Sequence, residues 1–443
     1  MAELVRTGEA PELDICDLFD HVGEYATIKG WLRNRRSSGK IHFLLVRDGT
    51  GEVQCVVRYG QIEEDKFELA DHIGLESSII VTGEVVADPR SPVGVEIRVT
   101  DYRVFQDVED YPIGKKEHGV GFLLKHRHLW LRSPKQWAVA RIRDEVQKAT
   151  RDFFYARRFV NVDTPIFTPA ACEGTTTLFE VDYHGDTAYL SQSGQLYLEA
   201  AIMSLKRCYC FGPVFRAEKS KTRRHLLEFW MVEAEAAWME FEENLRLQED
   251  YVTYLVERVL ENRKRELEIL ERDTSSLERV RPPFPRITYE EAVGMIRGAD
   301  DPEVADFEGG SDFGAPQETW LAAQFDRPVF VTNFPAEIKA FYMKRDPERP
   351  DTVLGADLLA PEGYGEIIGG SQREDDYETL LARIREHNLP EEAFQWYLDL
   401  RRYGTVPHGG FGLGIERTVA WLSGREHVRE TIAFPRMLHQ LYP

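Results

Sequence analysis

Residues 211–235 read FGPVFRAEKSKTRRHLLEFWMVEAE. Apolar alternation runs into Arg216, a polar run spans Lys219 to Arg224, and LLEFWMVEAE resumes the strand pattern, so the spacing predicts a hairpin with a basic loop. Such a hairpin offers Arg216 and its loop to phosphates and Phe229 to a flat ring. A second stretch, HGGFGLGIERTVAW at 408–421, sets Gly409, Gly410, Gly412 and Gly414 before Arg417 at the start of an apolar helix. Taken alone, these glycines read as a tight strand-to-helix joint. An arginine beside an aromatic platform can instead sandwich a purine by stacking and cation–π contact. No G-x-x-x-x-G-K-[ST] occurs, and no G-x-G-x-x-G opens a helix after a strand, which excludes a P-loop and a dinucleotide-binding unit.

Around these two stretches the pattern mixes helix and strand. SPKQWAVARIRDEVQKATRDFFYARRF (133–159) opens on a Ser133-Pro134 cap and keeps Trp137, Ile142, Val146 and Phe153 at helical spacing. Residues 240–270 predict one further helix, and Thr288-x-x-Glu291 a capping box. RPVFVTNFP and YGEIIGG read as late strands. Upstream, residues 13–105 break into five short strands bounded by Gly, Asp or Pro, the pattern of a small Greek-key barrel of the oligonucleotide-binding (OB) type. DVEDYPIGKKEHG (107–119) is the best linker. The expected organisation is a barrel over 1–106, a linker over 107–132 and a larger domain over 133–443. The role of 271–318 is not legible.

A chain of 443 residues with 42% hydrophobic residues buries roughly three quarters of its surface on folding. Its net charge of −21 argues against nucleic acid as a partner, but the distribution argues for it. Residues 29–47 carry six basic residues and no acid, and 216–225 hold five Lys or Arg against the single acid Glu218. A third basic cluster is Lys115, Lys116, Lys125, Arg127 and Arg132. The five cysteines are odd in number and scattered, against a disulfide framework; alternation buries Cys208 and Cys210 as plain thiols. The acidic N-terminus carries no apolar leader and no long apolar run follows, so no membrane association and a cytoplasmic place are expected.

F-R-A-E at 215–218 followed by R-H-x-x-E-F resembles motif 2 of the class II aminoacyl-tRNA synthetases, and G-F-G-L-G-I-E-R resembles their motif 3. RRFVNVDTPIF, with Pro165, is similar to motif 1, the dimer-interface motif. G-W-L-R-N-R-R with G-K-I-H-F, R-D-G-T-G and Gln54 resembles the anticodon-binding OB domain of the aspartyl/asparaginyl/lysyl subclass. The resemblance spans essentially the whole chain. It implies an α+β architecture: a five-stranded OB barrel, then a catalytic domain with an antiparallel β-sheet flanked by helices.

Within that subclass two positions favour the neutral amide over the acid. Leu198 stands where aspartyl enzymes carry the lysine that pairs with the substrate carboxylate, and Glu233 where they carry Asp. A carboxylate in the pocket accepts from an NH₂ and repels a second carboxylate. EIIGGSQR also matches the asparaginyl members. The resemblance therefore implies a homodimeric ligase that activates L-asparagine with ATP and charges tRNA(Asn); the alternative is an aspartyl-tRNA synthetase, of the discriminating or the nondiscriminating kind.

Site roles follow from the same resemblance. Arg216 binds the α-phosphate and substrate carboxylate, with Glu218 beside it and Arg417 as the third catalytic residue; the structural alternative for Arg216 is an ion pair with Glu218 or Glu235. Arg224, His225, Leu226, Phe229, Gly414 and Arg417 surround ATP, and Glu366 holds Mg²⁺, Gly369 replacing a serine found in aspartyl relatives. Glu173, Ser193 and Gln195 bind the α-ammonium, Glu233 and Arg373 the side-chain amide. In the barrel, Arg36, Phe43 and Gln54 hold the middle anticodon base, Phe43 by stacking.

Overall fold

The structure, a computed structural model, describes residues 10–91, 93–114, 116–169, 178–220 and 222–443. The chain divides into two compact units between Leu123 and Leu124.

In the first unit, strands β1 (Tyr25–Ser38), β2 (Ile41–Arg47), β3 (Glu52–Arg58), β4 (Ser78–Ala87) and β5 (Val95–Gln106) close a barrel in the order β1-β2-β3-β5-β4. Period-two alternation sends Ile28, Leu44, Val46, Cys55, Val81 and Ile97 inward, all fully buried, and the intervening side chains outward. A register shift between Leu32 and Asn34 lets the long β1 bend around the barrel. Helix α1 (Glu64–Ala70) adds Phe67 and Ala70 to the same core. Short helices α2 (Val120–Lys125) and α3 (Arg127–Trp130) follow.

Arg127, expected on a basic surface, is 1% exposed: its guanidinium lies 4.6 Å from the Trp130 ring centroid and donates to the Ala433 and Ile432 carbonyls. Stacking and carbonyl contacts replace water around it, so that basic cluster loses a member. Lys115 lies outside the described residues.

The second unit is built on an eight-stranded sheet. Its strands are β6 (Val160–Asn161), β10 (Arg207–Phe215), β11 (Glu228–Ala237), β12 (Arg286–Thr288), β13 (Val329–Thr332), β14 (Gly355–Ala360), β15 (Gly365–Gln372) and β16 (His408–Gly414). The order is β12-β13-β14-β15-β16-β11-β10-β6, antiparallel except for the β12–β13 and β10–β6 pairs. β7 (Phe167–Thr168), β8 (Glu180–Tyr183) and β9 (Asp186–Leu190) form a small separate sheet.

Helix α4 (Pro134–Ala156) begins where expected, the Ser133 hydroxyl accepting from the Gln136 N–H. It packs with α6 (Phe241–Asn262), and Tyr251 of α6 meets Phe153 and Phe154 of α4 at ring distances of 5.0 Å. The helix expected over 240–270 is instead two: α6 stops at Arg263 (φ −127°, ψ 32°) and α7 (Lys264–Ile269) starts anew. At the break Arg263 donates to the Arg141 carbonyl and pairs with Glu145 of α4, the carboxylate that also accepts from Arg258 and Asn262 of α6.

The capping box at Thr288 and Glu291 starts α8 (Tyr289–Arg297). With α10 (Ala315–Ala323), it packs a small core against Val329 and Val331 of β13, and α9 (Pro302–Ala305) packs beside α8 and α10. Much of the 271–318 segment is thus a helical subdomain on the β13 side of the sheet. Helices α5 (Gln195–Leu205), α11 (Tyr377–Glu386), α12 (Gln395–Arg402) and α13 (Ile415–Ser423) complete the unit.

Candidate active site

The β10–β11 hairpin forms as the spacing predicts, with Phe215 opposite Glu228 and the Arg216 N–H donating to the Leu227 carbonyl (2.9 Å). Its end, with β14, β15, β16 and the start of α13, walls a cleft of about 350 Å³. Of the expected site residues, Gln195, Arg216, Arg224, His225, Leu226, Phe229, Glu233, Glu366, Arg373, Gly414 and Arg417 line it. Ser193 and Glu218 do not. Glu173 lies outside the described residues.

Arg216 makes no ion pair among the described residues. Its guanidinium stands 5.4 Å from the Phe229 ring centroid, and its buried Nε has no hydrogen-bond partner. The alternative of a structural pair with Glu235 does not occur, because Glu235 belongs to Arg373. A cation left uncompensated inside a cleft is a site for an anion. Opposite, Arg417 donates to the Glu366 carbonyl. Burial lowers the His225 pKa, and Arg417, Arg216 and Arg224 push in the same direction, so this imidazole is neutral at physiological pH and shares a hydrogen bond with Thr222.

Two carboxylates converge where a side chain on Gly369 would stand: an ideal Cβ there lies 3.0 Å from Glu366 Oε1 and 3.7 Å from Asp357 Oδ1. Gly369, opposite Asp357 across β14 and β15, leaves that space open. Paired hard oxygens beside a phosphate-sized cleft fit Mg²⁺, which takes one or two carboxylates and completes its shell with phosphates and water. Burial raises the Asp357 carboxyl to about 7, and the Lys339 ammonium, 2.7 Å away, opposes that rise. Sequence reasoning missed Asp357, Lys339 and the nearby Asp312; only a charged residue inside the apolar strand GADLLA signalled the first.

At the other end of the cleft sits Glu233, 5% exposed, opposite Cys210 on β10 and Gly412 on β16. It accepts from the Ser193 hydroxyl, the Gly194 N–H (2.8 Å) and the Cys210 thiol (3.4 Å). Burial raises the Cys210 thiol pKa, with the Glu233 charge adding to it, so the group stays a neutral donor. The Ser193 hydroxyl is thus bonded to Glu233 and does not line the cleft.

Arg373 is held by Glu235 and by the Ser371 hydroxyl (2.6 Å). Gln195 donates its Nε2 to Glu199 (3.1 Å), which leaves its amide oxygen as an acceptor. Glu199 is fully buried and also accepts from Tyr397, Arg401 and His408. Burial alone would raise its pKa, but Arg401 and His408 hold it below the usual carboxylate range. Leu198 lies away from the cleft, fully buried among Ile202, Cys208, Cys210 and Ala237.

The glycine run works here as close packing. A Cβ on Gly410 would strike the Ala234 carbonyl and the Glu235 carboxylate on central strand β11. Gly410→Ala is expected to destabilise the protein by about 1–3 kcal/mol, read as a lowered melting temperature. An unchanged melting temperature would show that β16 can shift away.

On the barrel's outer wall, Arg36 and Phe43 are cross-strand partners, the guanidinium 4.3 Å from the ring centroid, and Arg36 donates to Gln54 (3.2 Å). Phe43 is half-buried on the outer face and not part of the barrel core.

Residues 120–438 match the family described as tRNA synthetases class II (D, K and N), and residues 26–105 the OB-fold nucleic acid binding domain. The asparagine--tRNA ligase of Pelotomaculum thermopropionicum is 62% identical over 430 residues, 96% of this chain and 99% of the relative. That of Desulforamulus reducens is 59% identical over 423 residues, 96% of this chain and 97% of the relative. The solved asparaginyl-tRNA synthetase of Pyrococcus horikoshii complexed with asparaginyl-adenylate superposes with a TM-score of 0.92 at 46% identity, covering 100% of both chains. With a family match over most of its length and relatives this similar, the chain belongs to the class II aminoacyl-tRNA synthetases of the aspartate, lysine and asparagine group.

Proposed function

We propose that the protein activates L-asparagine with ATP to asparaginyl-adenylate and transfers the asparaginyl group to tRNA(Asn), releasing AMP and diphosphate. The observation that carries this reading is the pairing of Glu233, an acceptor supplied with donors from behind, with Arg373, a donor, on one cleft. A carboxamide complements both, its NH₂ donating to Glu233 and its oxygen accepting from Arg373. An aspartate side chain would set a second carboxylate against Glu233, and the buried Leu198 brings no cation to compensate.

In the first step a carboxylate oxygen of asparagine attacks the α-phosphorus, a new P–O bond forms, and the bond to the leaving diphosphate breaks. No general base is needed, because the nucleophile is already ionised. Arg216 orients the carboxylate against the α-phosphate and stabilises the charge that builds there. Phe229 and Arg417 flank the adenine, neutral His225 and Arg224 face the outer phosphates, and the Gln195 amide oxygen accepts from the α-ammonium. Glu366 and Asp357 would hold Mg²⁺, which when bound supplies neutralisation of phosphate charge. In the second step a hydroxyl of the terminal ribose attacks the adenylate carbonyl carbon and AMP departs.

ATP–pyrophosphate exchange with asparagine and aspartate side by side tests the reading: exchange with asparagine alone supports it, and exchange with aspartate moves the protein to the aspartyl branch. The barrel face Arg36–Phe43–Gln54 is assigned to the anticodon. Phe43→Ala is expected to raise the KM for tRNA about tenfold to a hundredfold, the value of one stacked base, and to leave exchange unchanged; a change in exchange would refute that assignment. The working unit is a homodimer in the cytoplasm. Its interface is supported by β6 at the edge of the sheet, with Val160 exposed on it, and by exposed Ile166 and Phe167 after it.

A further inference from the structure

We propose that Glu318, contributed by helix α10, is a positioning residue that sets the two cleft arginines Arg224 and Arg417 for ATP. This rests on the ATP reading of the cleft. Glu318 Oε2 accepts from Arg224 Nη1 (3.1 Å) and from the backbone N–H of Glu366 (3.2 Å), and lies 3.9 Å from Arg417 Nη1. Arg224 comes from the hairpin loop and Arg417 from the start of α13, so one carboxylate joins three segments far apart in the chain.

Two guanidinium groups converging on one wall repel each other, and a carboxylate between them offsets that repulsion and fixes the direction of each planar fork. Arg224 Nη2 donates to the Thr319 hydroxyl and the Gly363 carbonyl, so α10 and the loop after β14 hold both terminal nitrogens. The main chain makes room for this pair. At Gly365, φ is +74° and any Cβ would collide with both Arg224 and Glu318. Glu318 does not line the cleft, and its side chain is only 18% exposed, so its effect on ATP passes through the arginines and the strand that carries Glu366. The remaining acid beside Arg417 is Glu366, whose carboxylate is 3.8 Å away and faces the cleft.

The test compares full-length wild type, Glu318→Gln and Glu318→Ala. Calorimetric ATP binding and exchange kinetics are measured, with separate KM values for ATP and asparagine. Glu318→Ala is expected to weaken ATP binding and raise its KM about tenfold or more, the loss of one charged hydrogen bond, with the asparagine KM within about twofold. Glu318→Gln should fall between, because its amide oxygen still accepts from the Glu366 N–H. Adding Arg224→Ala to Glu318→Ala should cost little beyond the larger single loss. An ATP affinity that is unchanged or improved, or ATP and asparagine KM values that rise together with a fall in melting temperature, overturns the inference. Wild type that binds ATP but shows no asparagine-dependent exchange would refute the parent reading instead, and the ATP affinities would still decide the role of Glu318.

Discussion

Arg216→Ala is expected to lower the rate of adenylate formation about a hundredfold to a thousandfold, the usual effect of removing one preorganised donor from a developing charge, with little change in stability. The asymmetry follows from the geometry. Most arginines of this unit are tied into the fold, as Arg401 is to Glu199 and Arg373 to Glu235. Arg216 has no such pair; its side chain rests on Phe229, and its Nε waits unpartnered. Removing it breaks no ion pair and strands no buried carboxylate. Stopped-flow or exchange kinetics beside a thermal melt check both halves, and a large fall in melting temperature would show that Arg216 is structural after all.

The second large effect is expected at Glu233. Glu233→Gln replaces one acceptor oxygen with an NH₂ that must face either the Gly194 N–H and Cys210 thiol or the Ser193 hydroxyl. In the first orientation donors oppose donors; in the second the hydroxyl turns to accept but the cleft loses its negative charge. Asparagine kcat/KM is expected to fall about a hundredfold, or about 2.7 kcal/mol, while aspartate loses less because the repulsion against it is gone. The ratio of the two amino acids in pyrophosphate exchange is the measurement. An unchanged ratio would place discrimination elsewhere in the cleft.

What could be read beforehand was local in origin. The 211–235 hairpin declares itself because a basic loop interrupts two apolar runs, and the Ser133 and Thr288 caps because a cap is written within four residues. Glu233 and Glu235 were visible as two acids on one strand, but sorting them required partners from elsewhere, Ser193 for the first and Arg373 for the second. Glu318, Asp357 and Lys339 were invisible for the same reason. Each acquires its meaning from a residue on another element, and no spacing rule connects α10 to the hairpin loop. Arg127 departs from the surface position that charge density predicts, because a tryptophan three residues on and two distant carbonyls bury it.

Strand β11 ends at Ala237, and its neighbour β16 does not begin until His408. A ribosome that has emitted everything through Arg402 has therefore produced both arms of the hairpin and the Glu233 carboxylate, yet β11 still lacks the strand that closes it on one side. Pairings that span so much chain are slow to form, and an unpaired apolar strand in the middle of a future sheet attracts the wrong partners while it waits. The pocket thus closes only once β16 has been made, and until then β11 leaves the sheet an open edge for chaperones and proteases to deal with.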